Sequence, residues 1–409
     1  MALTDNRTLV RHVCAYTASE AAAKISRVAV VLVVARTMPV EAIGLVAAAM
    51  AVSDILKALT ENGVSLRIIR ADEADLEATC RCAHGLFWIW CVGLFLIQVA
   101  LAGVFYVTGG SGLIAGMIAV LAIEYLFMPA GLVQCALAMR EGRMTQTATI
   151  AGGQIVGANL ATAVLVFVWP DPYAIILPKV LSGAIWLIAM RRLRPWQRPE
   201  VPPAPVRPFF RFGAAVLGVE ILKAFRLQAD KLIIGAVLGA EALGLWFFAV
   251  NAGLGLASSF SVALGTVLFP NLCASSDPAR TLRHTLLLAL CVLAPAVVFQ
   301  ALMAPVYVPL LFGERWAAIS GLVSILCLAA IPHLIWTACA QFLRAQDRAA
   351  LEFGLSLSLA VAALAVTAAL SPLGLEVVAW GTVIAAFVLQ TSAAGLVLVP
   401  ISTLRTKEA

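Results

Sequence analysis

Two apolar stretches of the 409-residue sequence each carry one acidic and two basic residues at helical spacing. The first triad is Glu20, Lys24 and Arg27, and the second is Glu220, Lys223 and Arg226. Spacings of three and four residues place the side chains of each triad on one face of a helix. Arginine binds phosphate oxygens in a bidentate manner and lysine binds them as a point charge. The triads therefore predict an anion-binding site with acidic groups beside it.

The composition indicates whether these charges lie in a soluble protein or in a membrane protein. Hydrophobic residues make up 62% of the chain and charged residues 12%, whereas soluble proteins carry about 45–50% and about 25%. Apolar runs of about twenty residues recur along the chain, and this is the length of a helix that crosses a bilayer. A transmembrane barrel would instead have shorter segments of alternating hydrophobicity. The sequence predicts an all-α integral membrane protein.

About twelve transmembrane helices are predicted from the apolar runs and the charges that bound them. The predicted spans are 12–35, 42–64, 84–107, 112–138, 145–168, 173–190, 210–236, 241–270, 284–311, 317–342, 352–370 and 376–400. The longest connection, 191–208, is rich in proline and arginine, which predicts a semi-stiff cytosolic linker. It divides the chain into an N-terminal six-helix bundle, 1–190, and a C-terminal six-helix bundle, 209–409. No Walker A sequence is present and little chain remains for a nucleotide-binding domain.

The distribution of lysine and arginine predicts the orientation in the membrane. With the N-terminus in the cytosol, nineteen of these residues fall in the inner connections and the chain ends. Three fall in the outer connections, namely Arg36, Lys231 and Arg315. We therefore expect both termini in the cytosol. Tryptophans near the span ends are interpreted as interfacial anchors, and they are Trp88, Trp90, Trp169, Trp246, Trp316 and Trp380.

The two halves of the sequence resemble each other at an offset of 200 residues. Residues 39–45 read Pro-Val-Glu-Ala-Ile-Gly-Leu, and residues 239–245 read Gly-Ala-Glu-Ala-Leu-Gly-Leu. Six predicted spans separate the two copies, so both copies run through the membrane in the same direction. This predicts parallel repeats related by an axis along the membrane normal. We expect the two bundles to surround a central cavity.

Ionisable residues near the middle of the spans are the strongest functional signal. Each costs about 2.5–3.5 kcal/mol at a helix centre, so such a residue usually faces a cavity or a partner. The basic ones are expected to form a substrate-binding cationic cavity: Lys24, Arg27, Lys57, Lys223 and Arg226. The acidic ones are expected to act in ion coupling or charge pairing: Glu20, Asp54, Glu124, Glu220 and Asp230. Such a cavity suits an anionic passenger, above all a pyrophosphate or an acidic sugar.

A structural role for these charges is the alternative. Glu20 with Lys24, and Glu220 with Lys223, have the spacing of ion pairs within one helix. Long basic side chains also extend toward the membrane interface. The concentration of charge in the first, second and seventh spans favours the cavity, because these are symmetric places in a two-lobe fold.

The sequence contains no convincing catalytic or metal-binding constellation. Its nine cysteines fall mostly in apolar runs and have no disulfide spacing. Cys80, Cys82 and His84 are at most half of a zinc site, because a structural zinc site needs four ligands. The four histidines form no nucleophile–base pattern. We therefore expect a protein that is not an enzyme and that binds neither a metal nor a cofactor.

Four segments resemble a known family. Residues 35–47, Ala-Arg-Thr-Met-Pro-Val-Glu-Ala-Ile-Gly-Leu-Val-Ala, resemble the first outer loop of polysaccharide-unit flippases. Residues 61–70 resemble the end of their second helix, and residues 136–144 resemble their loop between helices four and five. Residues 230–244 are similar to their seventh-helix signature. The chain thus resembles the polysaccharide (Wzx-like) branch of the multidrug/oligosaccharidyl-lipid/polysaccharide (MOP) exporter superfamily.

The resemblance implies a multi-pass protein of the bacterial inner membrane that works by alternating access. It implies flipping of an undecaprenyl-pyrophosphate-linked oligosaccharide repeat unit to the periplasmic leaflet, for exopolysaccharide, lipopolysaccharide or capsule synthesis. The implied partners are that lipid-linked oligosaccharide, membrane lipids and polysaccharide polymerase or export machinery, without nucleic acid. In relatives that flip the peptidoglycan precursor, basic residues lie on the first helix, a role that Lys24 and Arg27 would fill.

Other functions stay open at the level of sequence. An ion-coupled drug or cation antiporter of the same fold would prefer a cavity dominated by acidic groups, and the five basic residues disfavour it. A non-transporting scaffold of a polysaccharide assembly complex would leave the charges within the spans unexplained. A membrane-bound glycan polymerase or ligase is disfavoured because the predicted outer loops are too short to hold a catalytic site.

Overall fold

The computed structural model describes residues 26–346 and 348–405, and in these two ranges the chain is almost entirely helical and has no strand. Helices satisfy all their backbone hydrogen bonds internally, which is what a chain in hydrocarbon requires. The chain divides into two compact units, Met1–Gln228 and Ala229–Ala409.

The first unit begins with α1, which is helical over 26–37. Its further helices are α2 (Val40–Ala58), α3 (Val64–Arg70), α4 (Leu76–Val107), α5 (Gly112–Ala122), α6 (Glu124–Phe127), α7 (Pro129–Arg140), α8 (Met144–Val168) and α9 (Pro172–Leu193). A 3-10 turn, Glu73–Asp75, precedes α4. The next helix, α10 (Arg207–Ala274), starts in the first unit and continues into the second.

The second unit contains the rest of α10 and five more helices. They are α11 (Pro278–Phe312), α12 (Ser320–Cys327), α13 (Ala330–Ala345), α14 (Ala349–Leu370) and α15 (Leu375–Arg405). Two 3-10 segments, Glu314–Ile319 and Ser371–Leu373, lie at the ends of α11 and α14.

The predicted membrane class is confirmed. Within the described ranges, eight helices are long and apolar enough to cross a membrane, and one bent pair makes a ninth. Each predicted span from 42–64 onward falls on a helix or on a broken helix, and 210–236 and 241–270 both fall on α10. The protein is an all-α, multi-pass integral membrane protein, and the helices of the described ranges are consistent with about twelve transmembrane helices.

The fourth predicted span, 112–138, is not one straight helix. It consists of α5, the four-residue α6 and α7, with a bend of 50° between Gly112–Phe127 and Pro129–Arg140. Pro129 explains the position of the bend, because proline lacks an amide hydrogen and its ring clashes with the preceding turn. Glu124 is the first residue of the short α6, which lies on the N-terminal side of this bend.

The connection between α9 and α10 is held against the first unit. Residues 194–206, which we call the strap, are not helical. Ala204 donates its amide hydrogen to the carbonyl of Ala78 at 3.0 Å, and the Arg81 guanidinium donates to the carbonyls of Pro199 and Val201. Trp196 and Ala204 also pack on the buried cluster that contains Ile68, Phe87 and Val133. The strap is therefore a fixed part of the first unit.

Both sequence repeats contain a helix break at the same position. Pro39, at φ −68° and ψ 150°, separates α1 from α2. Gly239, at φ 87° and ψ 179°, interrupts α10. Proline breaks the helix by removing a donor and by steric conflict, whereas the conformation of Gly239 is essentially accessible only to glycine. Two different residues thus produce the same break in the two halves.

The requirement for glycine at position 239 can be tested by substitution. We expect Gly239→Ala to destabilise the protein by about 1–3 kcal/mol, because alanine is strained at this backbone conformation. Gly354→Ala is the matched control, since Gly354 lies within α14 and an added Cβ would meet no atom within 4 Å. The apparent melting temperatures of the purified proteins in detergent measure the difference. Equal melting temperatures for the two variants would mean that the helix break at residue 239 does not require glycine.

Candidate functional site

Asp54 on α2 is bound through both of its carboxylate oxygens. Its Oδ1 accepts a hydrogen bond from Nζ of Lys179 on α9 at 3.2 Å, and its Oδ2 accepts one from Nε2 of Gln228 on α10 at 3.2 Å. The side chains of Asp54 and Lys179 are 33% and 28% exposed. The ion pair is thus neither fully buried nor open to solvent.

Lys57 lies one helical turn after Asp54 on α2 and pairs with Glu124. Its Nζ donates to Oε1 of Glu124, the first residue of α6. The Lys57 side chain is 38% exposed, whereas that of Glu124 is only 10% exposed. The buried partner in this pair is therefore the carboxylate, and the accessible partner is the ammonium group.

A network of uncharged polar groups lies next to Glu124. The hydroxyl of Tyr125 donates to Oε1 of Gln98 at 3.1 Å. The amide nitrogen of Gln98 donates to Oγ of Ser53 at 3.1 Å and to the carbonyl of Ile118 at 2.8 Å. Because Ser53 precedes Asp54, the network fixes α2 relative to α4, α5 and α6. It holds in place the helices that carry the charges.

Small residues allow the helices around these charges to approach closely. Ala47, Ala49 and Ala51 on α2 are each at most 1% exposed, and small side chains are typical of close contacts between membrane helices. On α9, a Cβ added to Gly183 would lie 3.4 Å from Phe127 and 3.8 Å from Cγ of Glu124. Lys179 lies four residues before Gly183, on the same face of α9. The packing of α9 against α6 thus positions Lys179 near the carboxylates.

These contacts bring two acidic and two basic residues together within the first unit. We call Asp54, Lys57, Glu124 and Lys179 the α2 charge cluster; the groups carry opposite charges in equal number. An ammonium group on a lysine can exchange a carboxylate for a phosphate oxygen without losing a charge-assisted hydrogen bond. The arrangement can therefore bind an anion through an exchange of partners at the two lysines.

The ten predicted site residues divide into four groups, of which Asp230 alone forms one. Asp54, Lys57 and Glu124 belong to the α2 charge cluster, while Arg27 is an exposed residue of α1. Glu20, Lys24 and the side chains of Glu220, Lys223 and Arg226 lie outside the described part of the structure. The backbone of α10 is helical across the second triad, as its spacing predicts. The common cationic cavity of these residues stays a prediction.

Asp230 lies in the second unit and has a different environment. Its Oδ2 accepts a hydrogen bond from Nε1 of Trp246 at 3.1 Å, and its Oδ1 is buried and accepts none from the described residues. Trp246 is only 3% exposed, so its interpretation as an interfacial anchor is wrong. Trp316 is also fully buried and stacks on Phe248. A buried indole makes its hydrogen bond and its ring contacts with protein groups rather than with the lipid headgroup region.

Lys179 is the member of the cluster that the sequence prediction missed. It lies in the predicted span 173–190, next to Pro178. The same rule that selected Lys57, a basic residue within an apolar span, would have selected Lys179. Its pairing with Asp54 could not be predicted, because the two residues are 125 positions apart in the chain.

The Lys57–Glu124 pair predicts a specific pattern of stabilities. We expect Lys57→Met to lower the apparent melting temperature, because it leaves a buried carboxylate without its counter-ion. The double variant Lys57→Met/Glu124→Gln should be more stable than Lys57→Met alone, because it removes both charges. The melting temperatures of the four proteins in detergent form a double-mutant cycle. Additive losses from the two substitutions would mean that the ion pair makes no energetic contribution.

Comparisons with known proteins bear on the family and the fold of the chain. The family model described as "Polysaccharide biosynthesis protein" matches residues 33–321. The lipopolysaccharide biosynthesis protein WzxC of Escherichia coli (strain K12) is 24% identical over 336 residues, which span 78% of this chain and 66% of WzxC. The teichuronic acid biosynthesis protein TuaB of Bacillus subtilis (strain 168) is 26% identical over 153 residues, which span 36% of this chain and 32% of TuaB.

Two solved structures have the same fold. The lipid II flippase MurJ in its inward closed conformation matches with a TM-score of 0.77 and 10% identity, over 93% of this chain and 86% of MurJ. An inward-facing multidrug resistance MATE transporter of the MOP superfamily matches with a TM-score of 0.70 and 15% identity, over 95% of this chain and 96% of the transporter. Identities this low establish the fold alone. The family model covers well over half of the 409 residues, and the chain therefore belongs to the polysaccharide biosynthesis protein family, with the fold of the MOP transporters.

Proposed function

We propose that this protein flips undecaprenyl-pyrophosphate-linked oligosaccharide repeat units from the cytosolic to the periplasmic leaflet by alternating access. Membership of the polysaccharide biosynthesis family is the observation that carries this proposal. The transporter fold supports movement of the lipid-linked sugar across the membrane as the contribution of this chain. The name of WzxC as a lipopolysaccharide biosynthesis protein supports an inner-membrane role in surface polysaccharide synthesis.

The α2 charge cluster supplies groups suited to the pyrophosphate. Glu124 and Asp54 balance the charges of Lys57 and Lys179, which avoids the cost of an unpaired charge inside the membrane. A pyrophosphate would compete with the carboxylates for the two ammonium groups. Lys57 is the more accessible group of its pair, so it is the first candidate to contact the phosphate.

Exchange of partners at the lysines also offers a route to ion coupling. When a phosphate oxygen binds the ammonium group of Lys57 or Lys179, the partner carboxylate loses its counter-ion. An unpaired carboxylate in a poorly solvated site favours its protonated form. The carboxylates of Glu124 and Asp54 are therefore the candidate groups for coupling to an ion gradient. In this proposal the termini lie in the cytosol, and the flipped unit passes to polymerase or export machinery on the periplasmic side.

Charge-neutralising substitutions in the cluster test the proposal. We expect Lys57→Met and Lys179→Met each to weaken anion binding about tenfold and thereby to reduce surface polysaccharide, because each removes a cationic partner of the pyrophosphate. Lys179→Arg keeps the charge and should retain much of the export. Lys24→Met and Lys223→Met are expected to abolish export as well. The measurement is surface polysaccharide in cells in which each variant replaces the native protein, at equal membrane levels.

The matched control is Arg280→Gln, which removes a basic group from an exposed position at the start of α11. It should leave export unchanged. Full export by all the lysine variants would refute a cationic substrate site. If those variants instead sensitise cells to cationic drugs while export stays normal, the drug or cation antiporter becomes the better assignment. Normal export and normal drug sensitivity in cells without the protein would favour a non-transporting scaffold.

A further inference from the structure

A second group of basic and aromatic side chains lies where the strap meets α4 and α9. Arg191 is an exposed residue in the last turn of α9, and Arg198 is an exposed residue of the strap. His84 and Trp88 lie on α4, and Trp196 lies on the strap beside them. We call these five residues the strap corner. It is separate from the α2 charge cluster and has no role in the proposed transport step.

The rings and charges of the strap corner are close together. The ring centroid of His84 lies 5.2 Å from that of Trp196 and 6.4 Å from that of Trp88. Arg198 follows Trp196 by two residues on the strap, and Trp196 packs on the cluster that contains Val133 of α7. Nε of Arg191 donates to the carbonyl of Ala130, one turn before Val133 on α7. Two guanidinium groups thus share one small region with an imidazole and two indoles.

The strap corner is also held in a fixed geometry. Nε of Arg191 donates to the carbonyl of Ala130 at 3.3 Å, which fixes its guanidinium through one of three nitrogens. The hydrogen bonds of Arg81 and Ala204 hold the strap on α4 on either side of Glu200. Arg198 and Trp196 are therefore presented from a segment with a defined position.

The depth of the strap corner corresponds to the lipid headgroup region. A helix crosses about 30 Å of hydrocarbon in about twenty residues. Counted back from Val107 at the far end of α4, the opposite boundary of the hydrocarbon region therefore lies near Trp88. The 22 residues of α9 likewise place Arg191 at the same boundary. Trp88 is 37% exposed, as expected for an indole in the interfacial belt. The positive-inside count predicts that this boundary is cytosolic.

Glu141, which lies near the start of the strap, does not pair with the arginines of the strap corner. Glu141 pairs with Arg194 at 2.6 Å and with Arg143 at 3.4 Å, so its charge is already balanced. Glu200 on the strap is exposed and Glu77 lies two turns before His84 on α4. Exposed arginines next to the cytosolic leaflet attract anionic lipids.

We propose that the strap corner binds the phosphate group of an anionic phospholipid from the cytosolic leaflet. The guanidinium groups of Arg191 and Arg198 contact the phosphate oxygens, for which their planar donors are well suited. The indoles of Trp88 and Trp196 contact the glycerol and upper acyl region, which are partly apolar. A bound lipid fixes the strap to α4 and α9 from the membrane side. This site is independent of the transported substrate.

Lipid retention by the purified full-length protein tests the site. The protein is placed in nanodiscs of phosphatidylglycerol and phosphatidylcholine, released into detergent, and its retained lipids are counted by native mass spectrometry. We expect the wild type to retain phosphatidylglycerol preferentially, and Arg191→Gln/Arg198→Gln to reduce that retention about tenfold. Arg280→Gln/Arg283→Gln is the control, because it removes the same charge from α11 and should retain phosphatidylglycerol normally.

Several results would overturn the site. Unchanged retention by the Arg191→Gln/Arg198→Gln variant, or an equal loss in the α11 control, would mean that no specific phospholipid site exists at the strap corner. Displacement of phosphatidylglycerol from the wild type by undecaprenyl pyrophosphate would assign the corner to the substrate instead. If the double variant does not fold, Arg198→Gln alone keeps the test valid, since Arg198 is exposed.

Discussion

An ammonium or carboxylate group inside a membrane protein is stable only beside an opposite charge or in a polar cavity. In the first unit this constraint is met by pairing across helices, with Asp54 on α2 bound by Lys179 on α9 and Lys57 bound by Glu124 on α6. The pairs connect elements that are distant in the chain, so charge compensation also contributes to the arrangement of the bundle. The same pairs leave both lysines partly accessible, which a purely structural ion pair does not need.

The positions of the charges depend on interruptions of the helices. The four-residue α6, which begins with Glu124, ends at the 50° bend before Pro129, and Pro39 separates α1 from α2. Gly239 interrupts α10 at the position equivalent to Pro39. An uninterrupted helix would place the same residues at other depths and angles. Proline and glycine thus determine where the charged groups lie, although they carry no charge themselves.

The sequence was sufficient for the features that depend on local composition and periodicity. Apolar runs predicted the membrane class and the order of the spans, and single charges in those runs identified Asp54, Lys57 and Glu124. Which charges meet depends on helix packing over more than a hundred residues, so the pairing of Lys179 with Asp54 was not predictable. Burial of Trp246 and docking of the strap on α4 depend on packing in the same way.

The central claim is that the protein moves a lipid-linked oligosaccharide between leaflets. The most direct measurement is the amount and sidedness of undecaprenyl-pyrophosphate-linked oligosaccharide in cells depleted of this protein. Flipping by this protein predicts accumulation of the lipid-linked oligosaccharide on the cytosolic leaflet, together with loss of surface polysaccharide. Unchanged amount and sidedness of the lipid-linked intermediates after depletion would contradict the claim.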